Sequence, residues 1–335
     1  MTVARFPGEG AVRFERRPVP ALERGLVRVR AELVGLCGSD KRLLKDGARF
    51  VPGHEIVARV TDTGSATADV APGDRVLVYI PLFCGRCRAC LRQDTNRCLH
   101  LDSLVGWHAD GGFREFLDLP PRNLIPVPDD VPSDVAVLAL DTVGTAGHGL
   151  RMARRGLTAD PDHVVVVGCG PLGVGAAAVS AHLFGCRVLA GDLSATRLAA
   201  ATEVGAEPMP DDLPRNDHPL VVEASGSEAG RRLAWELVEP GGVLLLLGEG
   251  ATDLSFPMGP RWRRTDMTMV RSFYFPLHEV DANWALLRSI GANLSRTLCV
   301  RTDFADLEQT YRTFGSGEQL KPLVRIPTSE NGDPR

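Results

Sequence analysis

The sequence predicts an α/β protein of two domains, one of which contains a doubly wound parallel sheet. Three observations support this fold class. The chain has 335 residues, a length typical of about two domains. Its middle part alternates short apolar runs with helical stretches, which is the pattern of a parallel sheet. Its first part has β-like runs separated by turns rich in proline and glycine, which indicates a mostly β domain.

The first 148 residues are predicted to form this β domain. The strand-like runs in it are Leu26–Leu36, Glu55–Thr61 and Arg75–Ile80. Turn signals at Pro52-Gly53 and Pro72-Gly73 separate these runs. We therefore expect short strands that are joined by irregular loops.

The middle part is predicted to form the parallel sheet. Its first strand is a run of four valines, Val164–Val167, and an Ala-rich helix at Val174–Phe184 follows a glycine-rich turn. The further strands that we expect are Cys186–Ala190, Leu220–Ala224 and Val243–Leu247, and the helices are Ser194–Val204 and Ser227–Val238. A turn at Pro240-Gly241-Gly242 precedes the last strand, which we expect to be the sheet edge available for subunit pairing.

The C-terminal stretch is expected to return to the first domain, because it ends in the strand-like run Lys321–Ile326. The resulting prediction is a first domain of residues 1–148 completed by 284–335. The second domain then spans residues 149–283.

Composition excludes several classes of function. Apolar residues make up 44% and charged residues 24% of the chain, as in ordinary soluble proteins. A net charge of −4 argues against a nucleic-acid partner, which requires a basic surface. The N-terminus lacks a signal-peptide pattern, and no apolar run approaches the roughly 20 residues of a membrane span. We therefore expect a cytoplasmic protein without a membrane partner.

A glycine-rich turn marks a dinucleotide site. The segment Gly168-Cys169-Gly170-Pro171-Leu172-Gly173 matches G-x-G-x-x-G between a strand and a helix, the context that gives this motif its meaning. Its first glycine makes the tight turn, the second admits the pyrophosphate, and the third allows close packing of helix and strand. The candidate cofactor-binding residues in the turn are Gly168, Gly170, Pro171, Leu172 and Gly173.

The next strand predicts which dinucleotide binds. Asp192 lies at its end, where a carboxylate accepts hydrogen bonds from the ribose hydroxyls and repels a 2′-phosphate, so NAD is favoured over NADP. Arg197 is a further candidate for cofactor binding. The alternative is a plain strand-to-helix turn with Asp192 as a helix cap.

Four of the eight cysteines lie in one short segment, at Cys84, Cys87, Cys90 and Cys98. Such crowding in a large chain without a signal peptide favours metal over disulfides. Zinc binds four thiolates tetrahedrally in closed structural sites. We predict a structural zinc here, with an iron–sulfur cluster or four unrelated cysteines as alternatives.

A second constellation consists of Cys37-Gly38-Ser39-Asp40 and Gly53-His54-Glu55. With it, the chain resembles the zinc-containing medium-chain alcohol dehydrogenases, which include sorbitol, threonine and other polyol dehydrogenases. The resemblance covers nearly the whole chain. It also rests on Gly106, Gly112-Phe113, Glu223-Ala224-Ser225-Gly226 and Pro240-Gly241-Gly242, in the order typical of the family.

The resemblance implies a GroES-like β domain and a Rossmann domain, with the nicotinamide and a catalytic zinc in the cleft between them. It implies two zinc ions per chain and a homodimer or homotetramer. Cys37 and His54 correspond to catalytic zinc ligands, and Asp40 to a carboxylate that orients the histidine. Ser39 corresponds to the hydroxyl that passes the substrate proton. Glu55 corresponds to a carboxylate that ligates the zinc transiently, and Thr145 to a threonine near the nicotinamide.

The chain departs from the family at the third zinc ligand, which is usually Cys or Glu. The matching residue is Asp141. We expect Asp141 to ligate the zinc directly. The alternative is that Glu55 ligates and Asp141 lies outside the coordination shell.

A second departure is Arg42, which stands where the family often has a proton-relaying histidine. An arginine keeps its proton, so it cannot serve in that relay. The alternatives for this arginine are a contact with the nicotinamide ribose, with a pyrophosphate oxygen or with an anionic substrate group, or a position that faces solvent. The loop between Asp40 and Pro52 is short and basic, which favours a polar substrate.

These residues predict a zinc-dependent oxidoreductase that transfers hydride from a secondary alcohol of a polyol, cyclitol or sugar-like molecule to NAD. One alternative is an aldehyde or ketone reductase that runs in the reverse direction. Another is a non-catalytic relative that binds NAD or zinc. The presence of Cys37, Ser39, Asp40, His54 and Glu55 together argues against this last alternative.

Overall fold

The computed structural model describes residues 1–64, 69–250 and 262–327. The strands in these ranges are β1 (Thr2–Gly8), β2 (Ala11–Arg16), β3 (Val27–Gly35), β4 (Glu55–Asp62), β5 (Arg75–Val78), β6 (Phe116–Leu119), β7 (Leu124–Pro126), β8 (His163–Val167), β9 (Arg187–Gly191), β10 (Glu207–Pro208), β11 (His218–Glu223), β12 (Val238–Leu246), β13 (Thr268–Arg271), β14 (Cys299–Asp303) and β15 (Lys321–Arg325).

The helices in the same ranges are α1 (Asp40–Asp46), α2 (Arg88–Leu91), α3 (Ser133–Ala136), α4 (Gly144–Arg154), α5 (Pro171–Phe184), α6 (Ala195–Glu203), α7 (Glu228–Leu237), α8 (Val280–Leu286), α9 (Ala292–Leu298) and α10 (Leu307–Ser316). A π-helical turn, Leu287–Gly291, joins α8 to α9. No helix in the described ranges combines the length and apolarity that a membrane span requires.

The chain forms two compact units, Met1–Leu140 with the chain from Cys299 onward, and Asp141–Leu298. These boundaries differ from the expected ones at residues 148 and 284. The reason is packing, because α4 packs on α5 and β12, and α9 packs on α5, all within the second unit. Residues 328–335 of the expected first domain lie outside the described ranges.

The first unit is built on a seven-stranded, mostly antiparallel sheet. Its strand order is β14-β15-β3-β4-β5-β7, with β6 also paired to β3. The C-terminal strand β15 pairs with β3 in antiparallel fashion, so the end of the chain completes this sheet. Its core includes the fully buried residues Val29, Val34, Ile56, Leu77 and Tyr79.

The second unit is built on a six-stranded parallel sheet with the order β10-β9-β8-β11-β12-β13. This is the doubly wound order 3-2-1-4-5-6, in which ligands bind where the order reverses, at the carboxyl ends of the first and fourth strands. Those strands are β8 and β11. The valines of β8 are buried, as the apolar run predicts.

Two expectations about β12 are wrong. Pro240-Gly241-Gly242 does not precede the strand but lies inside it, because the register with β11 shifts between the pairs His218–Val238 and Leu220–Val243 and leaves these residues in a bulge. The strand is also not the sheet edge. It pairs with β13, which occupies that position among the described strands.

Candidate functional site

The motif Cys37-Gly38-Ser39-Asp40 forms a turn between β3 and α1. The N–H of Cys37 donates to Oδ2 of Asp40 at 3.1 Å, and the N–H of Asp40 donates back to the Cys37 carbonyl at 3.1 Å. The Ser39 hydroxyl donates to Sγ of Cys37 at 3.1 Å. The turn therefore places a thiol, a hydroxyl and a buried carboxylate side by side.

His54 faces this turn from the position just before β4. Its Nδ1 lies 3.1 Å from Oδ1 of Asp40, whose side chain is fully buried. Burial lowers the pKa of His54, but the charge of Asp40 and its hydrogen bond outweigh burial and raise the pKa well above the usual value. With Nδ1 directed at Asp40, Nε2 is the candidate ligand atom.

Glycines explain how the loop that carries His54 is held. Gly106 has φ +79°, and a Cβ on it would lie 2.5 Å from the Gly53 carbonyl oxygen and 3.0 Å from Cβ of His54. The same carbonyl accepts a hydrogen bond from Gly112 N–H at 2.8 Å. A side chain at Gly106 would therefore push this loop away from Asp40.

The four residues that the family resemblance implies as candidate ligands of a catalytic metal lie close together. One ligand atom each from Cys37, His54, Glu55 and Asp141 lies within 4.8 Å of the others. Asp141 directly follows Leu140, and its Oδ1 accepts a hydrogen bond from the Thr145 hydroxyl at 2.9 Å. A thiol, an imidazole and a carboxylate form a donor set that suits catalytic zinc.

The four clustered cysteines also come together. The sulfur–sulfur distances are 3.5 Å for Cys87–Cys90, 3.9 Å for Cys87–Cys98 and 4.0 Å for Cys84–Cys90. Tetrahedral zinc with bonds of about 2.3 Å separates its sulfurs by about 3.8 Å, so the geometry fits the ion. Backbone N–H groups of Cys90 and Leu99 lower the pKa of the Cys87 thiol, which favours the thiolate that zinc binds.

The glycine-rich turn has the shape that a dinucleotide needs. It connects β8 to α5, with Gly170 at the helix cap and Pro171 in the first helical turn. A Cβ on Gly173 would lie 1.9 Å from the Gly168 carbonyl oxygen, whereas a Cβ on Gly170 would meet nothing within 4 Å. Gly173 thus allows close packing, and the space beside Gly170 is open to a pyrophosphate.

Asp192 lies beside this turn, after β9. Its Oδ2 accepts a hydrogen bond from Cys169 N–H at 2.7 Å, and its Oδ1 accepts one from Ser194 N–H at 2.8 Å. The cap of α6 is Ser194, whose hydroxyl accepts from Arg197 N–H. Asp192 is therefore not the cap of this helix, and its carboxylate tethers the end of β9 to the glycine-rich turn.

The comparisons with known proteins agree with this arrangement. Residues 23–129 match the model of the alcohol dehydrogenase GroES-like domain. The chain is 31% identical over 283 residues to a medium chain reductase/dehydrogenase, ucsI, of Acremonium sp, in an alignment that covers 76% of the chain and 96% of the relative. The chain belongs to the zinc-containing medium-chain alcohol and polyol dehydrogenases. It is a zinc-dependent, NAD-linked oxidoreductase.

Two further relatives extend over almost the whole dehydrogenase. L-galactonate-5-dehydrogenase of Escherichia coli is 29% identical and aligns with 96% of this chain and 97% of its own. Galactitol 1-phosphate 5-dehydrogenase of the same species is 28% identical, with 95% and 98% covered. Among solved structures, the alcohol dehydrogenase TADH of Thermus sp. ATN1 superposes with a TM-score of 0.88 at 28% identity, over 98% of this chain and 100% of that one.

The structure adds a residue that the sequence motifs do not reveal. Lys321, in β15, donates a hydrogen bond from Nζ to Oε1 of Glu55, and both side chains are buried. The two residues are 266 positions apart. The strand-like pattern of Lys321–Ile326 predicts the strand but not this partner.

Two aromatic residues also adjoin the site. Tyr311, in α10, is fully buried, and burial together with the charge of Asp40 raises its pKa well above the usual value. The ring of Trp107 lies 5.7 Å from the His54 ring, centroid to centroid. No motif identifies Tyr311, and Trp107 is signalled only by its position after Gly106.

Proposed function

We propose that this dehydrogenase oxidises a secondary alcohol of a polyol, cyclitol or sugar-like molecule and that NAD accepts the hydride. The observation that carries the proposal is the group of Cys37, His54, Glu55 and Asp141, with the Ser39 hydroxyl 3.1 Å from Sγ of Cys37. The names of two relatives support the substrate class, because galactonate and galactitol 1-phosphate are both polyhydroxy compounds.

A catalytic zinc would be held by Cys37, His54 and Asp141. Bound there, it supplies a Lewis acid that lowers the pKa of the substrate hydroxyl. Asp141 is favoured over Glu55 as the third ligand because Lys321 already binds Glu55. Glu55 then stays beside the metal as a transient ligand.

Ser39 and Asp40 have separate roles in this proposal. Ser39 receives the proton of the substrate alcohol, because its hydroxyl lies next to the thiol of a candidate ligand and both donates and accepts hydrogen bonds. Asp40 is a positioning residue, which holds the imidazole of His54 through Nδ1.

The second zinc is structural and is held by Cys84, Cys87, Cys90 and Cys98. Because four thiolates fill a tetrahedral shell, no position remains for substrate. This ion would stabilise a loop with little apolar core of its own.

The cofactor is NAD, held at Gly168–Gly173 with Asp192 at the adenosine ribose. Pro171 and Leu172 begin the helix that faces the pyrophosphate, Thr145 lies near the nicotinamide, and Arg197 borders the ribose site.

We further propose a cytoplasmic homodimer or homotetramer. Reduction of an aldehyde or ketone is the same chemistry in reverse, and relative rates in the two directions decide between them.

Initial rates with zinc-replete protein test this function. NAD⁺ reduction is followed with simple alcohols, polyols, inositols, aminocyclitols, sugars and hydroxy acids, and NADP⁺ is run in parallel. We expect turnover of one polyhydroxy class with NAD⁺, and a loss of about 10²–10⁴-fold in Ser39→Ala, the range for removal of a group that transfers a proton. The Ser39→Ala variant should retain its zinc. Turnover confined to simple alcohols would contradict the proposed substrate class.

A further inference from the structure

Arg42 lies one helical turn beyond the proton-handling serine. Its N–H donates to the Ser39 carbonyl at 3.3 Å in the first turn of α1. Residues three apart on a helix share one face. Arg42 and Ser39 therefore lie on the same side of α1. The Ser39 hydroxyl in turn contacts Sγ of Cys37.

A second route links Arg42 to the metal ligands through Trp107. The guanidinium carbon of Arg42 lies over the Trp107 ring, 5.3 Å from its centroid, and this ring lies 5.7 Å from the ring of His54. Arg42 is exposed, so its guanidinium reaches solvent while it rests on the indole. A sugar-sized molecule with its reacting carbon at the metal would extend along this path.

The indole shapes what Arg42 recognises. The five N–H donors of an arginine lie in the plane of its guanidinium, so they still point outward from the edge when one face rests on an aromatic ring. This planar fork matches carboxylate and phosphate oxygens in bidentate pairs. The charge is permanent at any working pH. A stacked, exposed guanidinium beside a reacting centre is thus suited to an anionic group.

The local charges favour Arg42 over its basic neighbour for this task. The ammonium group of Lys41 lies over the Phe314 ring, 4.8 Å from its centroid, and so points toward α10 rather than toward Trp107. At the metal group, Glu55 is paired with Lys321 and Asp40 with His54. Asp141 accepts the Thr145 hydroxyl and is proposed to ligate the metal, so none of these three carboxylates is expected to engage Arg42.

We propose that Arg42, supported on Trp107, forms an anion subsite that binds a terminal carboxylate or phosphate of the polyol substrate. This inference rests on the proposed function and narrows its substrate class. Carboxylate and phosphate share the recognition chemistry, and the experiment separates them.

The test uses matched substrate series, each consisting of a hexitol, its aldonate and its terminal phosphate ester. The ratio kcat/KM is measured with NAD⁺ for the wild type, Arg42→Gln, Arg42→Lys and the control Lys41→Gln. Lys41→Gln removes an equal charge from the adjacent residue. Melting temperature and zinc content show that each variant is folded and loaded.

We expect the wild type to prefer an anionic member at least about tenfold. In Arg42→Gln, kcat/KM for that anionic member should fall about 10- to 100-fold, mainly through a higher KM, as expected for loss of a charge-assisted pair. For the neutral hexitol, kcat/KM should change less than about threefold in the same variant. Arg42→Lys should recover part of the loss on the anionic member. Lys41→Gln should behave as wild type, and rising salt should reduce the preference. Whether the aldonate or the ester is preferred identifies the anion.

Two results would overturn the anion subsite and leave the proposed function intact. One is equal turnover of neutral and anionic members by the wild type. The other is a uniform loss in Arg42→Gln, with a raised KM for NAD⁺, which would assign Arg42 to the cofactor. If no alcohol of any charge is oxidised, the proposed function fails. Calorimetric binding of the aldonates and phosphate esters to the NADH complex then tests the subsite alone, and equal affinity of wild type and Arg42→Gln would refute it.

Discussion

Lys321 donates a hydrogen bond to Glu55 inside the first unit, where the relative exposures of the two side chains are 1% and 0%. Gly35 of β3 makes room for the pair, because a Cβ there would lie 3.2 Å from Glu55 Oε2 and 3.4 Å from Cε of Lys321. The C-terminal strand thus delivers a cation to a carboxylate beside the candidate metal ligands. Glu55 is held in place by a partner that no local motif encodes.

Lys321→Met is expected to destabilise the protein by about 3–5 kcal/mol, because it leaves Glu55 charged and unpaired in the core. The free energy of unfolding in urea measures the loss. The double variant Glu55→Gln, Lys321→Met removes both charges and should recover most of it. A single variant as stable as the wild type would show that the pair does not hold this sheet together.

Asp141→Ala is expected to reduce the zinc content by one equivalent per chain, because it removes a direct ligand. Elemental analysis of the purified protein measures this. The double variant Glu55→Gln, Lys321→Met should keep the full zinc content, since Glu55 is not a resident ligand and no buried charge is left behind. The opposite pattern would make Glu55 the third ligand.

Much of the fold was predictable because its signals are local. The apolar runs that predict β8, β9 and β11 end within two residues of the observed strands. The helix after the glycine-rich turn begins at Pro171, three residues before the predicted start, because proline fits the first helical turn. The bulge inside β12 was not predictable, since Pro240-Gly241-Gly242 has the composition of a turn and only pairing with β11 draws it into the strand.

The candidate site divides in the same way. The spacing of the cysteine cluster predicts its chemistry, whereas the roles of Cys37 and His54 follow from the family resemblance of their motifs. Lys321 and Glu55 are 266 residues apart. Their pairing depends on how β15 meets β3, because β3 also pairs with β4, the strand that carries Glu55. Sequence patterns with short periods contain no information about such a contact.

Cys90→Ser is expected to lower the zinc content by one equivalent and to lower the melting temperature, because three thiolates hold the structural ion less tightly than four. Cys186→Ser is the matched control. Cys186 lies outside both metal groups, so this variant should keep its zinc. Unchanged zinc in Cys90→Ser would rule out the closed four-thiolate site.

Asp192→Asn should raise the ratio of kcat/KM with NADP⁺ to that with NAD⁺ by about tenfold or more, because the amide is nearly isosteric but does not repel a 2′-phosphate. Adding Arg197→Gln should reverse part of the gain, since Arg197 is the neighbouring cation. Rates with both cofactors at a fixed substrate concentration measure the ratio. An unchanged ratio would show that Asp192 does not determine the choice of cofactor. Its role would then be limited to the hydrogen bonds that it accepts from the backbone of Cys169 and Ser194.

A chain of polar groups crosses the other end of the parallel sheet, at the starts of β8 and β11. Nε2 of His218 donates to the Pro214 carbonyl at 2.9 Å, and its Nδ1 lies 2.7 Å from Nε2 of His163. Nδ1 of His163 in turn lies 2.7 Å from Oδ1 of Asp162. Because a carbonyl only accepts, neutral His218 uses Nδ1 as its acceptor. Nε2 of His163 then donates the hydrogen bond to Nδ1 of His218.

His218 is expected to make the protein less stable in mild acid. Burial, and next the charge of His163, lower its pKa, although the Pro214 carbonyl and the charges of Asp217 and Glu239 oppose them. The unfolded chain therefore binds a proton more readily than the folded one below about pH 6.5. The stability that neutral His218 provides is present above that pH and is lost as the pH falls.

Urea unfolding of wild type and His218→Gln between pH 5 and pH 8 measures this contribution. The stability of the wild type should fall more steeply with acid, by no more than about 1.4 kcal/mol per pH unit, the limit for one proton. His182→Gln, at an exposed position of α5, should follow the wild type. Parallel curves for wild type and His218→Gln would show that His218 has the same affinity for protons in the folded and unfolded chain.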